Sequence, residues 1–335
     1  MAVAEDLGAV ASAARTDSRP TAGVRAAYSL GQAVESGYLV VNGFVFFYYT
    51  AVLGLSGSMV GAAVAISMCL DAAFDPLIGS WSDSIRSRLG RRLPPMLLGA
   101  PLTLLTMGLL FAPPDGLPPI MLFAWLTLSK MGLRAFASMF NIPYFALGGE
   151  MSDDYAERSR IVAWRLLAGI IITVVVTALA SLVFFAGDHG LQKAERYPSF
   201  GWSIGGLILV LALISCAGVW RFSVGLPQPK AAEHGMLRRI IPEVVEIFRN
   251  RSFRVLFLSL LIFASASGIH AALNLHNYVF VWKLRPEVMQ ILTYANLLGI
   301  TLAVPLTPVL LRRLEKKTVV GLGFVLLAAG WTVLP

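Results

Sequence analysis

The 335-residue chain is 57% hydrophobic and only 14% charged, whereas soluble domains carry about 25% charged residues, so it is an integral membrane protein without a sizeable soluble domain. Its net charge of +8 comes from basic residues that fall mostly in alternate loops, which indicates membrane orientation and argues against nucleic-acid binding. Cys69 and Cys216 lie in apolar segments without metal-ligand spacing, as packing residues do.

Residues 1–25 lack the separate apolar region and cleavage site of a signal peptide, and we interpret them as a cytoplasmic tail. After them, apolar stretches long enough to cross about 30 Å of hydrocarbon predict nine helices. These segments cover residues 28–51, 57–81, 94–112, 118–147, 161–186, 200–221, 254–281, 288–311 and 318–335.

Lysine and arginine concentrate in every second linker, beginning with SDSIRSRLGRRLP between the second and third helices. The opposite linkers around Gly54 and Pro113 contain neither, although those near Asp188 and Trp282 each carry two basic residues. The excess of lysine and arginine in the first set of linkers predicts that these linkers and the N-terminus are cytoplasmic.

The segment 223–253 divides the chain after the sixth helix, and its apolar positions suit an amphipathic surface helix. We therefore predict an N-terminal six-helix half over residues 26–222 and the first three helices of a second half over residues 254–335. A basic turn followed by an apolar helix occurs at RSRLGRRLPPMLLG and again at LLRRLEKKTVVGLG, as a parallel repeat of halves predicts.

Two carboxylates, Asp71 and Asp75, lie one helical turn apart inside the second apolar segment. An intramembrane charge costs on the order of 3 kcal/mol on insertion scales, and like charges four residues apart also repel. The pair therefore needs a cation, a proton or a basic partner, and we predict a coupling site. The alternative is a structural pair locked to basic neighbours.

On the fourth helix Lys130, Arg134, Ser138 and Asn141 share one stripe, since positions 4, 7 and 11 apart return to nearly the same face. We expect Arg134, together with Lys130, to neutralise the two aspartates in part. If Arg134 reaches them, proton coupling or weak sodium dependence is favoured, because a fixed cation within about 6 Å competes with sodium. If it faces elsewhere, a cation site of carboxylate, Ser138 and Asn141 oxygens is favoured.

Two motifs carry a family resemblance. The stretch DAAFDPLIGSWSDSIRSRLGRRLPPMLLGAP and the later NIPYFALGGEMSDDYAERSRIVAWR resemble signatures of the glycoside-pentoside-hexuronide cation symporters, the melibiose-permease-like branch of the major facilitator superfamily. The resemblance implies a major facilitator fold in a bacterial inner membrane, with a central cavity in which sodium, lithium or a proton moves with a sugar.

The resemblance also implies roles for individual residues. Asp71 and Asp75 would bind the coupling cation with Ser138 and Asn141, while Glu35, Asn141 and Arg165 would contact the sugar. Two departures count against sodium: Phe74 stands between the aspartates where Asn is frequent, and Asn141 stands where melibiose permease has Asp. The loop after the second helix matches a gating-loop signature of the superfamily, through Asp83, Arg86, Arg88, Gly90, Arg91 and Arg92. The alternative for the arginines is positive-inside anchoring.

Further polar and aromatic residues are candidates for sugar binding. His270 and Asn274 fall on one broad face of the seventh helix, and Tyr38 and Tyr144 carry rings suited to stacking on a sugar. For all four, structural packing within the bundle is the alternative.

The sequence contains no P-loop, HExxH or nucleophile triad, so we expect neither an enzyme nor a cofactor beyond the coupling ion. The leading prediction is symport of a sugar, with the solute and the lipid bilayer as partners. One alternative is a lysolipid or other amphiphile transporter, favoured by Phe74 and Phe145. Another is a transport-inactive membrane sensor or partner-binding protein.

Overall fold

The computed structural model describes residues 20–152, 154–224, 248–311 and 314–333. Every regular element in those ranges is helical, which confirms the predicted all-α membrane fold. The α-helices are α1 (Ala22–Leu30), α2 (Ala33–Phe47), α3 (Gly57–Ser84), α4 (Leu93–Phe111), α5 (Pro119–Glu150), α6 (Tyr155–Leu179), α7 (Arg196–Val224), α8 (Arg251–His276), α9 (Pro286–Leu311) and α10 (Lys316–Val333).

Each predicted segment overlaps one or more helices, and by length and composition α3 to α8 are each able to cross a membrane. The first helix begins at Ala22, where the hydroxyl of Thr21 accepts the backbone N–H of Val24 as an N-cap. The predicted tail and linker largely fall on residues 1–19 and 225–247, which lie outside the described residues.

The first predicted helix is not continuous, because a turn at Gly31 and Gln32 separates α1 from α2. Tyr28 and Tyr144 stack there with ring centroids 4.5 Å apart, and each hydroxyl donates to the other residue's carbonyl oxygen, at 3.2 and 3.0 Å. A Cβ on Gly31 would lie 2.5 Å from the Tyr144 ring. Glycine therefore permits the close approach of α5 at the break.

Helices α1 to α7 pack into one bundle in which α5 contacts α3 and α4, and α7 contacts α1 and α4. Because α1 and α2 together make up the first predicted segment, we call it the six-helix bundle. The crossings rely on glycine: a Cβ on Gly99 of α4 would lie 2.9 Å from the Phe136 carbonyl oxygen, and one on Gly108 would overlap the Trp202 ring. Small residues let helices approach closely where lipid supplies no hydrophobic drive. The end of the bundle that holds the loop 85–92 is its basic end.

At the opposite end, α2 and α8 finish in the same way. Each continues into a π-helical turn, Tyr48–Val52 or Asn277–Val281. A residue with positive φ follows, Gly54 at 73° or Lys283 at 50°. The closing N–H···O distances also match, at 3.0 and 2.8 Å after α2 and 2.9 and 2.8 Å after α8. A parallel repeat of halves predicts such a correspondence between their first helices.

Residues 287–335 form a second compact unit that contains α10 and nearly all of α9. In α9 the Gln290 amide donates to the Tyr294 hydroxyl. At the start of α10, Lys317 pairs at 3.1 Å with Glu315, which directly precedes the helix, on the surface.

Candidate functional site

Asp75 and Arg134 face each other between α3 and α5, with Asp75 Oδ2 3.9 Å from Arg134 Nη2. The guanidinium also lies over the Tyr38 ring of α2, 5.4 Å from its centroid. Asp75 Oδ1 is buried and accepts no hydrogen bond from the described residues. Arg134 thus reaches Asp75, the arrangement in which a fixed cation competes with a bound one. Asp71 belongs to α3 one turn earlier, and its side chain lies outside the described residues.

Glu35 and Asn141 meet between α2 and α5, where Asn141 Nδ2 donates to Glu35 Oε2 at 2.7 Å. Asn141 is buried, and its Oδ1 atom has no donor among the described residues. Ser138, one turn away on α5, is buried as well. The pair therefore places a carboxylate and an amide at one depth, and the Asn141 Oδ1 atom is an acceptor that suits a hydroxyl donor.

Lys130 is 2% exposed and donates to Asn42 Oδ1 on α2. Sequence reasoning missed Asn42, although its spacing of seven residues from Glu35 places both on one face of α2. Burial of an ammonium group in the bundle requires such a partner, because an unpaired charge in a low-dielectric region is costly.

These contacts form one array, which we term the polar ladder. Along α2 its members are Glu35, Tyr38 and Asn42, and along α5 they are Asn141, Arg134 and Lys130. Both sets follow helical spacings of three, four or seven residues, so each lies on one face of its helix. The stripe that the sequence predicts on the fourth apolar segment is therefore the face of α5 that contacts α2. Asp75 of α3 contacts Arg134 of this stripe.

The other predicted sugar contacts, Arg165, Tyr144, His270 and Asn274, are not members of the polar ladder. The Arg165 guanidinium lies over the Phe145 ring, 4.8 Å from the centroid. Tyr144 is fully buried against Tyr28, so its ring presents no free face in this conformation. On α8, His270 is exposed and Asn274 is half-buried.

Another histidine of α8 contacts the six-helix bundle. His276 Nε2 lies 2.9 Å from the Thr50 hydroxyl, and its ring packs on Phe46 and Phe47. Sequence reasoning missed this residue, since the two partners are 226 positions apart and no local pattern links them.

The loop 85–92 forms an ion-pair network at the basic end. Arg92 Nη1 lies 2.6 Å from Asp83 Oδ1, and its Nη2 lies 2.6 Å from Glu150 Oε1, which Arg91 also contacts at 2.7 Å. Gly90 has a φ of 82°, and a Cβ there would lie 2.6 Å from the Ser223 carbonyl oxygen. The network thus ties α3, α4 and α5 together.

The two remaining arginines of the predicted gating loop, Arg86 and Arg88, are exposed. A second cluster at the basic end centres on Glu157, which is buried and pairs with Arg25 of α1 and with Arg160 one turn on. The clusters at this end therefore include buried charges with well-defined partners, in contrast to simple surface anchoring.

The fold and the polar ladder define a class: a polytopic membrane protein with partnered charges inside a helical bundle, as membrane carriers have. A family model described as MFS/sugar transport protein matches residues 26–334. The chain belongs to this family of sugar symporters, and the resemblance found in the sequence is confirmed.

Curated relatives agree with this assignment. The inner membrane symporter YicJ of Escherichia coli (strain K12) is 27% identical over 273 residues, which cover 79% of this chain and 56% of the relative. The glucuronide carrier protein homolog of the same organism is 25% identical over 91% of this chain and 65% of its own length. The isoprimeverose transporter of Lactiplantibacillus pentosus is 24% identical over 92% of this chain and 63% of its own length.

The chain therefore spans less than two thirds of the length of these relatives. They are named as symporters, carriers or transporters, in agreement with the expectation that the protein is not an enzyme.

Proposed function

We propose that the protein is a secondary symporter that carries a sugar inward with a cation, by alternating access around the polar ladder. The observation that carries this proposal is the 2.7 Å Glu35–Asn141 hydrogen bond, which leaves the buried Asn141 Oδ1 without a donor among the described residues. A glycoside, pentoside or hexuronide presents the hydroxyl donors that such a site seeks. The names of the glucuronide carrier homolog and the isoprimeverose transporter support a sugar.

Asp75 and Asp71 are the proposed coupling carboxylates, with Ser138 and Asn141 as neighbouring oxygen donors. Because Arg134 stands 3.9 Å from Asp75, a positive charge is present at this carboxylate before any ion arrives. A proton needs only one free carboxylate oxygen, whereas sodium needs several oxygen ligands. The geometry therefore favours proton coupling, or sodium coupling of weak dependence, over a tight sodium site.

The basic end is the proposed cytoplasmic end, because arginines concentrate there. The Asp83–Arg92–Glu150 network then acts as the cytoplasmic gating loop and stabilises one access state. Arg165 and Tyr38 are proposed secondary contacts of the sugar. Tyr144 would join them only after its stack with Tyr28 opens.

The decisive experiment is an uptake panel in energised vesicles, with sugars tested against sodium, lithium and proton gradients. We expect one sugar to accumulate, and Asp75→Asn to abolish accumulation while Asp115→Asn, a loop carboxylate at the opposite end, leaves it intact. Accumulation of no solute under any gradient would refute the symporter assignment.

The role of Arg134 has its own test. Arg134→Gln removes the fixed cation beside Asp75, so uptake should gain dependence on sodium, while Arg86→Gln on the surface loop should not change ion preference. Unchanged ion preference and rate in Arg134→Gln and in the charge reversal Arg134→Asp would contradict this role.

A further inference from the structure

The contacts that join α8 to the six-helix bundle cluster at the end opposite the basic loops. Besides the His276–Thr50 hydrogen bond of 2.9 Å, the His276 ring packs on Phe47 with centroids 5.0 Å apart. One turn further, Phe280 stacks on Phe47 at 5.9 Å. The hydrogen bond and the rings of Phe47, His276 and Phe280 together form a contact cluster between α2 and the end of α8, which we call the plug.

An ion pair lies beyond this plug. Arg285 Nε is 2.9 Å from Asp188 Oδ1, and the pair connects the loop that precedes α9 to the loop between α6 and α7. Both side chains are about two-thirds exposed, at 69% and 67%. Around the pair, the two loops line an open cleft of about 510 Å³, and the ion pair bridges this cleft.

The backbone on both sides of this pair is strained. Among the described residues, only two that are not glycine have a positive φ: His189 at 60° and Lys283 at 50°. His189 follows Asp188 directly, and Lys283 precedes Arg285 by two positions. Left-handed backbone in such residues persists only where surrounding contacts hold it, and it concentrates in segments that switch.

The inner part of α8 differs from its end. Val255, Leu258 and Ile262 are 59%, 55% and 71% exposed, whereas His276 is half-buried against α2. The first helix of the second half therefore touches the first helix of the N-terminal half at one end of the membrane. In a carrier with alternating access, this pattern corresponds to a closed gate at that end.

We infer that Thr50, His276 and Phe280, together with the Asp188–Arg285 pair, form the outer gate of the transporter, and that the structure has this gate closed. The inference rests on the proposed function, which makes this end of the bundle the outer one. Each contact is individually weak: an exposed ion pair contributes little, and a single neutral hydrogen bond little more. Weak contacts suit a gate, because the closed and open states must interconvert in every cycle.

The test measures access from outside. Cys69 and Cys216, the two cysteines of the chain, are replaced by Ser and Ala, and Gly43→Cys is added as a reporter. Position 43 lies three, four and seven residues before Phe46, Phe47 and Thr50, hence on the same face of α2, and nothing lies within 4 Å of a Cβ there. A membrane-impermeant maleimide is then applied to right-side-out vesicles.

We expect slow labelling in the parent, and labelling about three- to five-fold faster in Asp188→Asn and Arg285→Gln, in line with the worth of an exposed pair. His276→Ala should give a larger increase, since it removes the hydrogen bond and the ring contacts together. The charge swap Asp188→Arg with Arg285→Asp should return labelling to nearly the parent rate.

The control is Lys317→Gln, which breaks an even more exposed ion pair at the start of α10 and should leave labelling unchanged. Fast labelling in the parent, or the same rate in all gate variants, would overturn the inference. Because labelling needs neither sugar nor gradient, failure of the gate is distinguishable from failure of the symporter assignment.

Discussion

The two ends of the six-helix bundle hold charge in different ways. At the basic end Arg92 is 6% exposed and bridges two carboxylates, whereas at the opposite end the Asp188–Arg285 pair is largely open to solvent. A buried charge that loses its partner is strongly destabilising, but an exposed one loses little. The network at the basic end therefore contributes to the stability of the bundle, whereas the contacts at the opposite end, as the proposed gate, would set which access state it occupies.

The largest expected effect is at Gly90. Gly90→Ala places a Cβ 2.6 Å from the Ser223 carbonyl oxygen at a φ of 82°, so we expect a loss of about 3 kcal/mol in unfolding free energy. Gly116→Ala is the control, since its φ is 73° but its Cβ meets nothing within 4 Å, and it should cost only about 1 kcal/mol. Both losses are measured by thermal unfolding in detergent, with the labelling of buried Cys216 in a Cys69→Ser background as the readout of unfolding. Equal losses would mean that the Ser223 contact is irrelevant.

Next in size is Arg92→Gln. It leaves Glu150 without one of its two arginines, and we expect a loss of about 2 kcal/mol, below the value for a fully buried pair because Asp83 is 47% exposed. Arg86→Gln in the same loop is exposed and should stay within about 0.5 kcal/mol of the parent. If both variants unfold at the same temperature by the same assay, the contrast between the two ends is wrong.

The matching turns after α2 and α8 give a smaller effect with opposite signs. Gly54→Ala puts a side chain at a φ of 73° and should cost about 1 kcal/mol, whereas Lys283→Gly relieves a φ of 50° and should stabilise by up to about 1 kcal/mol. Unfolding temperatures that move in the same direction would contradict the proposed equivalence of the turns.

The smallest expected effect on stability is that of Asp188→Asn. The exposed pair should change the free energy of unfolding by no more than about 0.5 kcal/mol, although the same variant speeds labelling from outside. A loss as large as that of Arg92→Gln would place the outer pair among the structural contacts, and the difference between the ends would vanish.

The helices were predictable from the sequence because long apolar runs and basic linkers are direct signatures of membrane-spanning segments. It also placed Arg134 and Asn141 on one stripe, since helical periodicity determines which residues share a face. It did not find the break at Gly31, which depends on the approach of Tyr144 from 113 residues away in the chain. Nor did it choose His276 over His270, because the relevant face of α8 is decided by contact with α2.

For the candidate site too, individual residues were predictable from the sequence, but their pairings were not. Glu35 was expected on the first helix, but its bond to Asn141 required the two helices to be docked. Glu150 was overlooked because its role appears only when Arg91 and Arg92 fold back over α5. Pairings between distant elements follow from tertiary packing, which a pattern along one helix does not contain.

The turn at Gly31 and Gln32 divides the first transmembrane segment into two arms of unequal length. On its inner side α1 is fixed, since Arg25 pairs with Glu157 and the Ser215 hydroxyl donates to the Tyr28 carbonyl oxygen. On its outer side α2 extends as a lever arm: at 1.5 Å per residue, Glu35 lies about 4.5 Å and Thr50 about 27 Å from Gln32. In the proposed transporter, a tilt of α2 about this turn that moves the Glu35 carboxylate by about 0.5 Å would move Thr50 by about 3 Å, enough to break its hydrogen bond to His276.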